Sequence, residues 1–276
     1  MKNVYLVTFG TIDPNNGHKS FKKSLYRLKK EALDTNWFKD IFLYTETDLA
    51  HFNKRFEGTG AGWWWWKPIV VKMALDSVKT DDIVMFIDAG FSINKAGEER
   101  FFDYVRLCDS GPGILGFGGG PISSVMGEGD TDGMHAKRDL LIYLNCDSDK
   151  YTKTSQSGTG LFFIKKNEFG LDFLNEWMEV SKNEHFLNHA PSLVEEHSEF
   201  VSHKNEQAIF SLLVKKRLPQ LNNYLLDKRE VSEHNATFGY ESTPFKADRL
   251  DDSKLWFTIP YKIHNGKLVR GDFNYK

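Results

Sequence analysis

Five consecutive large apolar residues, Ile83-Val84-Met85-Phe86-Ile87, run directly into Asp88-Ala89-Gly90. A strand without polar alternation must be buried on both faces, which is the position of an inner strand in a sheet covered by helices on either side. Val4-Tyr5-Leu6-Val7-Thr8, Ile41-Phe42-Leu43-Tyr44, Ile114-Leu115-Gly116-Phe117 and Gly160-Leu161-Phe162-Phe163-Ile164 read the same way. Between them the apolar spacing changes to that of helices. It does so at Phe21, Leu25, Leu28 and Ala32, at Ile69, Val70, Met73, Ala74 and Val78, and at Phe101, Phe102 and Val105. Phe169, Phe173, Leu174 and Trp177 form a further helix face, and Ala208, Ile209, Leu212 and Leu213 another. Strands alternating with helices predict an α/β fold with a mostly parallel, twisted central sheet and helices on both faces.

No internal repeat or linker divides the chain, so residues 1–276 read as one domain. Residues 111–133 hold nine glycines and are expected to form a loop between a first half, about 1–117, and a second, about 134–276. From Val231 onward the pattern is irregular, with short strands.

The hydrophobic fraction, 40%, supplies a sizeable core, and a net charge of −2 without long runs of one sign gives no field for nucleic acid. Lys215-Lys216-Arg217 is expected as a solvated helix end. Cys108 and Cys146 are too few for a disulfide framework and read as reduced thiols. The apolar start, Val4 to Val7, is too short for a signal peptide, and no window reaches the ~20 apolar residues of a membrane span. The expectation is a cytoplasmic protein, with peripheral membrane contact left open.

In an open α/β sheet, ligands bind beyond the carboxyl ends of the strands. Two such ends stand out, Thr8-Phe9-Gly10 and Asp88-Ala89-Gly90. A carboxylate there can hold a ribose hydroxyl or a divalent ion, and a glycine two residues on admits a phosphate or sugar close to the backbone. The plainer reading makes Asp88 a cap of the following turn. Trp63-Trp64-Trp65-Trp66 cannot all face one ligand if the segment is extended; two or three are expected as core anchors and one as a stacking surface. Lys67, before Pro68 in a helix's first turn, either reaches a diphosphate or is a solvated surface lysine.

The run Gly62-Trp63-Trp64-Trp65-Trp66-Lys67-Pro68, a helix, and then Ile87-Asp88-Ala89-Gly90 resembles a bacterial and viral group of glycosyltransferases of the GT-A (Rossmann-like) fold. More distantly it is similar to glycogenin-type and lipooligosaccharide galactosyltransferase-type enzymes. Those carry Asp-x-Asp at this point, with manganese and a nucleotide diphosphate; here Gly90 replaces the second Asp. Lys137-Arg138-Asp139, Gln156-Ser157-Gly158-Thr159-Gly160 and His203-Lys204-Asn205-Glu206-Gln207 extend the resemblance in order over roughly residues 1–215.

The resemblance implies a UDP- or GDP-linked sugar donor, a glycan or lipid-linked acceptor, and Mn2+ or Mg2+. It places Thr8, Phe9, Gly10, Lys67, Asp88, Ala89, Gly90, Lys137, Arg138, Ser157 and Gly158 around the donor. Ile263-His264-Asn265-Gly266-Lys267 is similar to a C-terminal segment that supplies a metal ligand, here His264 beside Asp88, and a phosphate-binding lysine, here Lys267. Glu206 or Asp139 is expected as the base of an inverting reaction, and Gln207 as the polar group of a retaining one. Glu206 also suits the first turn of a helix as a favourable carboxylate. Two other functions fit less of the sequence. A sugar-nucleotide nucleotidyltransferase would need a basic, glycine-rich loop after the first strand, which Phe9-Gly10-Thr11-Ile12-Asp13 lacks. A non-catalytic carbohydrate-binding protein would use the tryptophans alone.

Overall fold

The computed structural model describes residues 2–13, 20–52, 59–119, 130–217, 225–231, 242–255, 261–264 and 267–270. β1 (Val4–Phe9), α1 (Lys22–Thr35) and β2 (Asp40–Tyr44) open the chain, followed by the short turn α2 (Gly60–Trp63), α3 (Lys67–Ser77) and β3 (Ile83–Ile87). β4 (Ser92–Ile93), α4 (Glu98–Ser110) and β5 (Ile114–Gly119) come next. The second half contributes α5 (Asp132–His135), α6 (Arg138–Tyr143), α7 (Asp149–Thr152), β6 (Gly158–Lys165), α8 (Glu168–Val180) and α9 (Asn205–Arg217). β7 (Leu225–Asp227), β8 (Phe245–Lys246) and the hairpin β9 (Tyr261–His264) and β10 (Lys267–Arg270) close it.

The central sheet has the order β2-β1-β3-β6-β5-β7. β1 pairs in parallel with β2 and β3, and β5 with β7, while β6 runs antiparallel to both β3 and β5. The apolar runs follow from this layering. On β3, Val84 and Phe86 point into a core shared with α3, α8 and α9, and Ile83, Met85 and Ile87 into a second core under α1 and α4. A central strand with two buried faces has no position left for a polar side chain.

The antiparallel run of β6 positions the site. Ile87 is paired with Leu161, so the start of β6 lies at the same sheet edge as the end of β3. The Asp88 N–H donates to the Gly160 carbonyl at 2.8 Å. The chain after residue 242 returns to this edge as well: β8 pairs with β4, Ser92 against Lys246 and Ile93 against Phe245.

Three expectations are revised. Within the glycine-rich stretch 111–133 the strand expected at Ile114–Phe117 is present and runs on to Gly119, and Asp132 begins a helical turn where loop was expected, with residues 120–129 outside the described residues. Gly118 fits a strand because a Cβ there would meet the Ser157 Cα at 2.3 Å. Helix α9 is buried on more than one face, since Phe210, Ser211 and Val214 are covered along with the expected apolar positions. Lys215 is not a solvated helix end either; its buried ammonium pairs with the fully buried Asp132. Both cysteines are free and buried, as read. Among the described residues no helix is long and apolar enough to cross a membrane.

Candidate active site

A cleft of about 600 Å³ opens where β1 and β3 end side by side. Phe9 and Gly10 from the first strand and Asp88, Ala89 and Gly90 from the third line it, as the position of strand ends in an α/β sheet requires. Trp64, Trp66 and Phe91 add aromatic wall, with the Phe9 and Trp66 rings stacked at 4.0 Å. The loop after β1 is fixed by the buried Glu46 carboxylate, which accepts from the Ile12 N–H at 2.9 Å and the Asp13 N–H at 2.6 Å.

Behind Asp88 lies a buried charge network. Lys67 is 1% exposed. Its Nζ stands 3.3 Å from Asp88 Oδ1 and 3.1 Å from Glu206 Oε1. It also donates to the Thr159 carbonyl at 3.2 Å, and the Thr159 hydroxyl donates to Glu206 at 2.8 Å. The ammonium lies 5.0 Å from the centre of the Phe86 ring. Burial works against a charged Lys67, but Asp88 and Glu206 together hold its pKa above the ordinary lysine value. Burial likewise raises the pKa of Glu206, opposed by Lys67 and by the Thr159 hydroxyl. A buried pair of this kind is held by its mutual compensation: removing one member strands the other in low dielectric. Asp88 differs from its partners in being 37% exposed at the side chain, on the cleft side. Gly160 keeps that carboxylate clear, since a Cβ there would lie 3.2 Å from Asp88 Oδ2.

The tryptophan run is not extended. Gly60, Ala61, Gly62, Trp63 and Trp64 all have positive φ, at 61°, 53°, 88°, 62° and 58°, and form a left-handed turn. The Trp63 N–H bonds to the Thr59 carbonyl and that of Trp64 to Gly60. Each non-glycine residue held there costs about 1–2 kcal/mol. The turn is anchored by Trp65 and Trp66, both buried, and by the Trp66 indole N–H donating to the Gly60 carbonyl at 3.0 Å. Trp64 is thereby left on the cleft wall. Strict alternation of the four side chains, which an extended run would impose, does not apply.

The other residues singled out from sequence divide among several places. Thr8 is fully buried beneath the cleft. Ser157 is buried, its N–H bonded to the Ser211 hydroxyl, and Gly158 begins β6. Gln207 donates to Gln156, which in turn donates to Asp132, in a polar network distinct from that of Lys67. Lys137, Arg138 and Asp139 gather at α6, apart from the cleft residues. Lys137 is buried and donates to the His185 carbonyl and to Asn188. Arg138 pairs with Asp147. Asp139 accepts from His185 at 2.6 Å and from the Leu193 N–H at 2.7 Å; burial raises its pKa, and these bonds more than offset that, leaving it lowered. His203, the first residue of the His203–Gln207 segment, is buried and held neutral, its pKa lowered by burial to about 3. The side chains of His264 and Lys267 lie outside the described residues.

Sequence reasoning missed Arg249 and Asp251, which line the cleft from the returning segment. They reach it because the Leu250 N–H bonds to the Gly90 carbonyl at 3.0 Å, and a Cβ on Gly90 would come within 3.1 Å of the Leu250 nitrogen. Nothing in the linear spacing marks that contact. Thr159 stands out in the sequence only as part of a motif, and Glu46 carries no signal at all.

No family model matches the chain, and no curated protein matches it. Among solved structures it is similar to a glycosyltransferase involved in glycosylation of the major capsid of PBCV-1. That match has 9% identity over 66% of this chain and 67% of that one, at a TM-score of 0.39. It is also similar to the bifunctional glycosyltransferase WbbM, with 15% identity over 84% of this chain and a TM-score of 0.48, although the chain spans only 40% of WbbM's length. A third likeness is to 4-diphosphocytidyl-2C-methyl-D-erythritol synthase from Anaerococcus prevotii, with 10% identity over 78% of this chain and 99% of that one, at 0.35. These likenesses bring no residue correspondence with them.

Proposed function

We propose that this chain is a GT-A-type glycosyltransferase that takes a sugar from a nucleotide-diphosphate donor bound in the Asp88 cleft. The observation that carries the reading is a half-exposed carboxylate at the mouth of a parallel strand, held rigid from behind by a buried ammonium and faced by an aromatic wall. Preorganised charge of this kind costs nothing to align when the reaction occurs. The aromatic wall suits the flat faces of a base and a sugar. In this reading Asp88 orients the donor. Lys67 does not itself reach a phosphate, being buried; it and Glu206 act as positioning residues for Asp88. Arg249, a cation on the cleft wall among the described residues, is proposed to meet the donor's diphosphate. Gln207 and Asp139, bonded within other networks, are assigned no step.

A divalent ion is part of the proposal in one form only. Among the described residues no group of three or more His, Cys, Asp or Glu meets, and one oxygen of Asp88 already faces Lys67. That donor set fits an ion carried on the donor's diphosphate with Asp88 as its protein ligand, which is how Mg2+ commonly binds. Such an ion would neutralise charge on the leaving diphosphate. Titrating Mn2+ and UDP or GDP, singly and together, against thermal unfolding tests this. The pair is expected to raise Tm by more than the sum of the two alone, because each completes the other's site. Manganese alone stabilising the protein as much as the pair would contradict it.

A further inference from the structure

Among the described residues six large apolar side chains are exposed, and five of them, Ile142, Tyr143, Leu193, Val194 and Val201, lie on α6 and the segment 193–201. The two pieces are tied together by the Leu193 N–H on Asp139 and by Arg138 donating to the Glu195 carbonyl at 3.0 Å. Apolar side chains concentrated in this way mark a binding surface. Val194 and Val201 also line a second cleft, of about 610 Å³, whose other walls include the buried Lys137 and His203 and the exposed His189. The cleft therefore combines polar walls with an apolar rim.

Its position relative to the first cleft is set by the left-handed turn. Trp64 lines the Asp88 cleft. Its neighbour Trp63 packs its ring on His189, centroids 4.6 Å apart at 60°. One rigid turn thus stands between the two clefts and touches residues of both.

We infer that the second cleft binds an amphiphilic acceptor, its sugar headgroup beside the exposed His189 and its apolar chain along Leu193, Val194 and Val201. This deepens the glycosyltransferase reading and rests on it for the word acceptor. The volume lies within the range of small-molecule sites, roughly 300–1,000 Å³. A bilayer surface is the less suitable occupant. Residues 193–201 carry Glu195, Glu196 and Glu199 and no lysine or arginine, so an anionic leaflet would repel them.

Binding of n-octyl β-D-glucoside, below its micellar concentration, and of glucose to the full chain tests the inference by calorimetry. Octyl glucoside is expected to bind at least about ten-fold more tightly than glucose, since several methylenes leave water at the rim. Leu193→Glu/Val201→Glu, both at exposed positions, should erase that difference while UDP or GDP still binds as in the wild type. Equal binding of octyl glucoside and glucose, or octyl glucoside binding unchanged in the variant, overturns the proposal. So does tight association with phosphatidylcholine vesicles without octyl glucoside binding, which would make the rim a membrane contact. Octyl glucoside binding that the variant loses, in a chain that binds no nucleoside diphosphate, supports the second cleft and removes the donor reading instead.

Discussion

Asp88→Asn is expected to lower kcat/KM for donor turnover by roughly 10²–10³-fold, about 3–4 kcal/mol of transition-state stabilisation. The substitution preserves shape and removes the one charge that the Lys67 network presents to the cleft. The fold should survive it, because Lys67 keeps Glu206 at 3.1 Å and the Asp88 backbone bond to Gly160 is untouched. Steady-state kinetics beside a urea denaturation curve would separate the two effects. A variant with near-normal turnover would reduce Asp88 to a cap of the turn that follows β3.

Lys67→Met should act on stability instead. Glu206 is 3% exposed, and without the ammonium its buried carboxylate is left with the Thr159 hydroxyl as its side-chain partner among the described residues. Losing one member of a buried pair costs about 3–5 kcal/mol, a large share of the ~5–15 kcal/mol that holds a domain folded. The loss should depend on pH with a definite sign. Burial already raises the pKa of Glu206, and removing Lys67 removes the main influence opposing that rise. A carboxyl whose folded pKa lies above its unfolded value is destabilising above that range, and the penalty fades as pH falls toward the unfolded pKa of about 4.3. Lys67→Met should therefore lie closest to the wild type in acid. Lys67→Met/Glu206→Gln should recover most of the stability at neutral pH, since no buried charge is then left uncompensated. Urea denaturation of the four proteins from pH 5 to 8 gives the cycle. An Lys67→Met loss that is flat with pH and unrelieved by Glu206→Gln would show that Lys67 matters through packing alone.

What the sequence made legible was local or periodic. The unbroken apolar run of β3, the helical spacing after Pro68 and the two strand ends at Gly10 and Asp88 placed the sheet and the cleft, because a doubly covered strand and a parallel sheet allow few alternatives. The interior of the site was not legible. Residues 67, 88, 159 and 206 meet only because β6 runs antiparallel to β3 and α9 packs beneath it. A glutamate at a helix start reads naturally as a carboxylate at a cleft edge, and nothing in its neighbours shows that α9 is covered on several sides. The tryptophan run divides into buried anchors and a cleft-wall residue as expected, but its backbone is not extended, for a related reason. A left-handed turn through Ala61, Trp63 and Trp64 runs against their own preferences and is sustained by the tertiary packing of Trp65 and Trp66. Lys137 lines the second cleft, and Arg138 and Asp139 bond to the segment around it, none of them lining the Asp88 cleft, an arrangement that their order along the chain does not reveal.

The most direct test of the account is to incubate the full chain with a panel of UDP- and GDP-linked sugars, with and without octyl glucoside, and to identify the products. Release of nucleoside diphosphate that octyl glucoside accelerates, with the sugar recovered on the glucoside, is the result expected of a glycosyltransferase. If no nucleotide sugar is consumed, and nucleoside triphosphate with a sugar phosphate instead yields pyrophosphate and a nucleotide sugar, the Asp88 cleft belongs to a nucleotidyltransferase and not to a glycosyltransferase.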